Sequence, residues 1–237
     1  MRRHYNKSTN SGSDNPEAEY IEWLKSIGCK LYAPLRQSFM YEAGQTQLHD
    51  VINNIQGTCD NYVLEPNSVK VQSSKTSGLM WDLTSVANVF GDVSDGGYFR
   101  NGAWTTIASI KDNGGGYVGN KYEQVATWGE SCAFYIARAQ CGTWSTNTWH
   151  NIAYLHQSPN VGTTVTIYKN NSQVFTQAST TNALVYRTAT NNKIIAMGKA
   201  YSGCYFFGNI HDVYHFNRRL TTSELTTIYN HDKQYNL

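Results

Sequence analysis

From residue 30 onward the apolar positions fall in short runs, many alternating with polar residues and divided by Gly, Asn, Asp and Ser. That pattern predicts strands joined by turns. Lys30–Leu35, Val69–Gln72, Gly78–Leu83, Trp104–Lys111 and Tyr122–Thr127 are the first five. Ala133–Ala139, Trp149–His156, Val165–Lys169, Val174–Gln177 and Lys193–Met197 continue the series. Lys30–Leu35 is expected to pair near the C-terminal strand. Two stretches break the rhythm. Leu48, Val51, Ile52 and Ile55 have helical spacing, so Gln45–Asn61 reads as a short helix or a long loop. Tyr20, Ile21, Trp23 and Leu24 read as one helical turn or an irregular apolar anchor, ended by Gly28.

The last part of the chain carries the densest signal. Ile210, Val213, Tyr214 and Phe216 are β-favouring, and Asn217-Arg218-Arg219 is polar enough to turn. Thr221, followed three residues later by Glu224, has the spacing of a capping box. Leu225, Ile228 and Tyr229 then share one face of the helix it would start. Upstream, Asn170-Asn171 sits between two strand runs, and Asn tolerates the left-handed conformations that a tight hairpin demands.

Composition narrows the class. Among 237 residues there are 17 Tyr, 8 Phe, 6 Trp and 19 Gly, and only 15% are charged, against a usual share of about a quarter. A formal net charge of +2 gives no electrostatic case for nucleic acid or for an anionic membrane. No apolar run approaches the roughly 20 residues needed to span a bilayer. After Met1-Arg2-Arg3 the chain stays polar where an export signal would turn apolar, so the expectation is a protein made and used without export. Cys29, Cys59, Cys132, Cys141 and Cys204 are odd in number and include no C-x-x-C pair. Free, buried thiols made in a reducing cytoplasm are the reading, ahead of a disulfide framework.

Three regions resemble known families. Gly208-Asn209-Ile210-His211-Asp212-Val213-Tyr214-His215-Phe216-Asn217-Arg218-Arg219-Leu220, with the capping box after it, resembles the closing motif of laminin-G-like, or concanavalin A-like, jelly-roll domains. His211 stands in place of an acidic residue and Arg219 in place of a small one. Trp149–Tyr154 and Thr164–Val174 resemble the central hairpin of the same family. The resemblance implies an all-β, two-sheet antiparallel jelly-roll sandwich over residues 29–237, with one short helix near its C-terminus. Ala18–Tyr32 partly resembles a segment that precedes such domains in bacteriophage virion proteins and related gut-bacterial proteins. Residues 1–28 are then expected to be a polar arm and docking segment, with Arg2, Arg3, Tyr5, Tyr20 and Trp23 as its contact residues.

Candidate chemistry is thin. Some relatives of the fold hydrolyse glucans with paired carboxylates on one strand. Here Glu123, Glu130 and Glu224 are isolated, so no enzyme is expected and no catalytic residue is assigned. His211-Asp212-Val213-Tyr214-His215 lacks the Glu and the helix of a zinc-protease motif, and structural or surface histidines are the better reading. No cofactor is expected. Calcium is the one metal suggested, at Asp92 and Asp95 in a glycine-rich turn, where the alternative is that both hydrogen-bond their own backbone. For glycans, Tyr98, Trp104, Trp128 and Trp144 near loops or strand ends are the candidate stacking platforms.

The resulting expectation is a non-enzymatic bacteriophage virion structural protein, either capsid decoration, head fibre or tail-associated. Other virion proteins in a homo-oligomer or multi-copy assembly would be its partners, with bacterial surface glycans as further ligands. It would be assembled in the host cytoplasm. The alternative is a carbohydrate-binding module of a gut bacterium at the cell surface.

Overall fold

The computed structural model describes residues 16–36, 48–58, 62–71, 79–82, 103–113, 126–128, 132–134, 145, 147–156, 164–178, 194–197 and 208–235. Thirteen strands and two helices are described there. The order is α1 (Pro16–Ser26), β1 (Cys29–Pro34), β2 (Gly57–Thr58), β3 (Tyr62–Glu65), β4 (Ser68–Val71), β5 (Leu79–Asp82) and β6 (Trp104–Asp112). Then come β7 (Ala126–Trp128), β8 (Cys132–Phe134), β9 (Trp149–His156), β10 (Thr164–Lys169), β11 (Ser172–Ala178), β12 (Ile194–Met197), β13 (Gly208–Phe216) and α2 (Thr222–Lys233). All strand pairings are antiparallel. One sheet has eight strands in the order β11-β10-β9-β6-β13-β4-β3, with β1 also on β13. The other has five, β2-β5-β12-β7-β8.

β13 is the hub. Along one edge it pairs with β6 from Gly208 to Phe216. Its other edge is shared: Gly208–Ile210 take β4 and Asp212–Phe216 take β1. The pairing with β6 shifts between Ile210 and Val213, so His211 and Asp212 sit where the partner strand changes. A bulge re-aims side chains. There, His211 meets the ring of Tyr235 beyond α2, and Asp212 meets Arg36 beyond β1.

All nine residues of β13 are buried, because the eight-stranded sheet is covered on both faces. On one face Ile107, Ala153, Leu155, Tyr214 and Phe216 pack against Tyr20 and Leu24 of α1 and Leu225 and Ile228 of α2. By alternation, Ala108, Ile110, Ile152, Ile167 and Val213, all buried, point the other way. The two helices thus ride together on one face of the sheet.

Most of the expected strands are present. β1 does pair with the C-terminal strand. The Asn170-Asn171 turn has φ of 51° and 62°, the left-handed pair that this hairpin needs. Thr221 and Glu224 form the full capping box.

Two open readings are resolved and one hairpin is new. The expected helical turn near residue 20 is a complete 11-residue helix, ended by Gly28 at φ +82°. Helical spacing around Leu48–Ile55 gives no helix. Asp50, fully buried, accepts hydrogen bonds from the backbone N–H groups of Tyr32, Ile52 and Asn53, and this carboxylate turn competes successfully with helix formation. Gly57 follows so closely that a Cβ would lie 2.4 Å from the Leu48 carbonyl and 2.7 Å from Trp81 Nε1. Finally, Tyr62–Glu65, unassigned from the sequence, forms a hairpin with β4.

The boundary drawn at residue 28 runs through a packed core. Tyr20 is 8% exposed and Leu24 fully buried, in one cluster with both helices and the sheet. Helix α1 belongs to the sandwich's own packing.

Candidate functional site

The space between the start of α1 and the end of α2 holds the molecule's densest described set of polar side chains. It is built from residues far apart in sequence. Glu17, in the first turn of α1, is the centre. Its carboxylate accepts from Arg36 at 2.7 and 3.3 Å, from the Tyr32 hydroxyl at 3.0 Å and from the Tyr235 hydroxyl at 3.1 Å. His231 Nε2 lies 3.3 Å away. Burial alone would raise its pKa, but the hydrogen bonds from His231 and Arg36 outweigh that and bring it down to about 2. His231 answers in the opposite sense. Burial opposes its charge, yet Asp232 and Glu17 raise its pKa to about 9, so the ring is an imidazolium at neutral pH.

Beneath this pair lies a second layer. Asp232, fully buried at the end of α2, accepts from Ser109 Oγ and Asn151 Nδ2 at 2.8 Å each and from the Tyr214 hydroxyl at 2.5 Å. Asp212 lies 3.4 Å from Arg36 Nε and 3.3 Å from His211 Nδ1. Burial pushes Asp212's carboxyl above the usual range, despite His211 and Arg36, and pushes the His211 imidazole toward neutrality. Rings fill the gaps between the polar groups. Tyr20 stacks on His231 at 3.5 Å, Tyr32 stacks on Tyr214 at 4.6 Å, and the Arg36 guanidinium lies 3.8 Å from the centre of the Tyr235 ring.

Asp212, His231 and Asp232 bring ligand-type atoms within 4.8 Å of one another. They do not make a good cation site. Arg36 and the His231 imidazolium already supply positive charge, and the oxygens of Asp232 are committed to Ser109, Asn151 and Tyr214. The set fits a closed ion-pair cluster.

Above the cluster opens a cleft of about 360 Å³. Glu17, Tyr20 and His231 line it, with Thr227 and Asn230 of α2, its C-cap Gln234, and Tyr235.

Of the residues singled out from sequence, Tyr20 lies in the core and under this cleft, and Trp23 is half-buried, its ring stacked 5.5 Å from that of Tyr20. Trp104 and Trp128 belong to β6 and β7, with side chains outside the described residues. Tyr98, Trp144, Asp92, Asp95, Arg2, Arg3 and Tyr5 also lie outside the described residues. Cys29 is a buried free thiol. His211 and His215 are fully buried, structural as expected, and burial drives His215 down to about 3. Trp149 is half-buried beneath the Lys111 ammonium at 5.3 Å. Sequence reasoning missed Glu17, Arg36, His231, Asp232 and Tyr235. The one available signal was Asp212 inside an otherwise strand-forming run.

The fold defined by these two sheets is the antiparallel jelly-roll sandwich of lectin type. A family model described as the concanavalin A-like lectin/glucanases superfamily matches residues 116–226, and the chain carries that superfamily's fold. No curated protein matches the chain. Among solved structures it is similar to a Trypanosoma rangeli sialidase mutant described as displaying trans-sialidase activity. The TM-score is 0.59 at 13% identity, over 90% of this chain and 34% of the sialidase. It is also similar to the binding domain of botulinum neurotoxin serotype D, at TM-score 0.57 and 14% identity, over 86% of this chain and 52% of that one. The same toxin's ligand-binding domain in complex with N-acetylneuraminic acid gives 0.53 at 14% identity, over 77% and 48%. The chain therefore spans a third to a half of these structures, and at such identities the likeness is one of fold.

Proposed function

We propose that this chain is a non-enzymatic, glycan-binding sandwich of a bacteriophage virion, held to other virion proteins through the residues that precede α1. The observation that carries the display reading is the union of its two recognisable segments. The α1–β1 segment, which resembles the lead-in of virion domains, pairs along the closing motif through β1 and β13, and Glu17 is pinned to Arg36 and His231. A helix fixed at this many points gives its own N-terminal end a defined place on the sandwich. That suits repeated display from a shell or fibre.

The non-enzymatic reading draws support from three of the described carboxylates. Glycoside hydrolysis needs two carboxyl groups across an open cleft, one of them protonated to serve as acid. Glu17 is ionised and saturated with donors, Asp232 is sealed under α2, and Glu224 is engaged by Arg218 and Thr221. The sugar-binding part draws on the lectin-type fold and on the neurotoxin domain of the same fold that takes N-acetylneuraminic acid.

The test has two arms. Mass spectrometry and antibody labelling of purified phage particles should find the chain as a stoichiometric, multi-copy component. Its absence from particles, with recovery at a bacterial cell surface, would favour the carbohydrate-binding module of a gut bacterium. A glycan array probed with the intact chain, with calcium and again with EDTA, tests binding. Selective spots support an adhesin, and EDTA sensitivity assigns a role to calcium at Asp92 and Asp95. Release of reducing sugar from a glucan panel would overturn the non-enzymatic reading.

A further inference from the structure

We infer that the cleft between α1 and α2 is a binding site for an uncharged sugar, a conclusion that rests on the glycan-binding reading above. Its volume of about 360 Å³ lies at the small end of ligand sites, which run from about 300 to 1,000 Å³. One wall comes from a single face of α2 and its C-cap, where Thr227, Asn230 and Gln234 follow one another at helical spacing. Asn230 and Gln234 are exposed. Each carboxamide offers two donors and an acceptor, the complement of neighbouring sugar hydroxyls.

The floor sets the charge preference. Glu17 and the His231 ring face each other at 3.3 Å, so their charges cancel. Every oxygen of Glu17 already accepts hydrogen bonds from protein donors. Among the described lining residues there is no lysine or arginine. A ligand carboxylate, such as that of N-acetylneuraminic acid, would find no free cation among the described lining residues. A neutral pyranose loses nothing by that. Its apolar face has the half-buried ring of Tyr235 to lie against. The helices are already fixed by buried contacts to the sheet, so the cleft is formed before the ligand arrives and costs little to order.

The test uses the full chain and five probes: the methyl glycosides of mannose, glucose and galactose, N-acetylglucosamine, and N-acetylneuraminic acid. Saturation-transfer NMR and titration should show at least one neutral sugar bound tenfold or more tightly than N-acetylneuraminic acid. The Asn230→Ala/Gln234→Ala double variant should weaken that binding tenfold or more with an unchanged melting temperature, since both side chains are exposed. Asn230→Trp, which fills the cleft, should abolish it. Binding indifferent to both variants would put the sugar elsewhere on the sandwich, overturning the cleft assignment while leaving the glycan-binding reading intact. A preference for N-acetylneuraminic acid would overturn the argument from charge. An intact chain that binds nothing on a full glycan array would bring down the glycan-binding reading, and this inference with it.

Discussion

The two helices lie side by side on one face of the eight-stranded sheet, yet they are held there in opposite ways. Helix α2 is specified by its neighbours in sequence. Thr221 and Glu224 close its capping box at 3.3 and 2.8 Å, and Arg218, three residues before the cap, clamps Glu224 at 2.6 Å. Helix α1 has little local help. Its anchors are Arg36, 19 residues away, His231, 214 away, and Arg218, whose Nε reaches the Ile27 carbonyl across 191 residues. The helix expected to belong to a docking arm is the one that closes the chain on itself.

Removing α1 is the strongest way to break that comparison. Deletion of residues 1–28 exposes the surface that Tyr20 and Leu24 cover, worth about 1.5–3 kcal/mol each. It also takes Glu17 away from Arg36 and His231, a loss of about 3–5 kcal/mol for a broken buried pair. The sum rivals the whole stability of a typical domain, about 5–15 kcal/mol. The expected product is aggregated or molten. A soluble protein with a cooperative melting curve would show that α1 is an accessory after all.

Glu17→Gln isolates the charge from the packing. The amide keeps the shape of the side chain but cannot neutralise Arg36 and His231, and a cost of about 3 kcal/mol is expected in denaturant unfolding. The same pair makes stability depend on pH, and the signs can be worked out. His231 is raised from 6.5 to about 9, so its contribution is complete below pH 6.5 and is lost as pH rises through about 9. Glu17 is lowered from 4.5 to about 2, so its share is complete above pH 4.5 and is lost as pH falls toward 2. Asp212, raised by burial, adds a loss with rising pH that begins lower. The melting temperature should therefore fall between pH 6.5 and 9 in the parent chain. Glu17→Gln should flatten that limb, and an equal decline in the variant would assign it to another group.

How much of this could be read in the sequence follows the same division. The strands after residue 149, the Asn170-Asn171 turn and the capping box depend on near neighbours, and each was legible. The ion-pair cluster depends on tertiary proximity. Nothing around Glu17 in sequence distinguishes it from Glu19, which lies on the same helix. The stretch around Asp50 stayed open between helix and loop for a related reason: its apolar spacing is helical, while its buried carboxylate gathers three backbone N–H groups into a turn. His211 and Asp212 were visible as polar residues in a buried strand. Their roles depend on the change of partner strand between Ile210 and Asp212, which no local pattern encodes.

The smallest expected effect sharpens the comparison from the side of α2. Thr221→Ala removes the hydroxyl that accepts from the Glu224 N–H, for an expected loss of about 1 kcal/mol. Glu224 would keep its reach to the backbone N–H of residue 221 and its pairing with Arg218, so the loss should not exceed that of a single cap. The effect should also stay local. In hydrogen exchange, amides in the first turn of α2 should lose protection while those of α1 keep theirs, because α1 is held at the far end of α2 through His231. Loss of protection spreading to α1 would mean that the two helices open as one unit, and that α2's local specification does not make it independent of the contacts that hold α1.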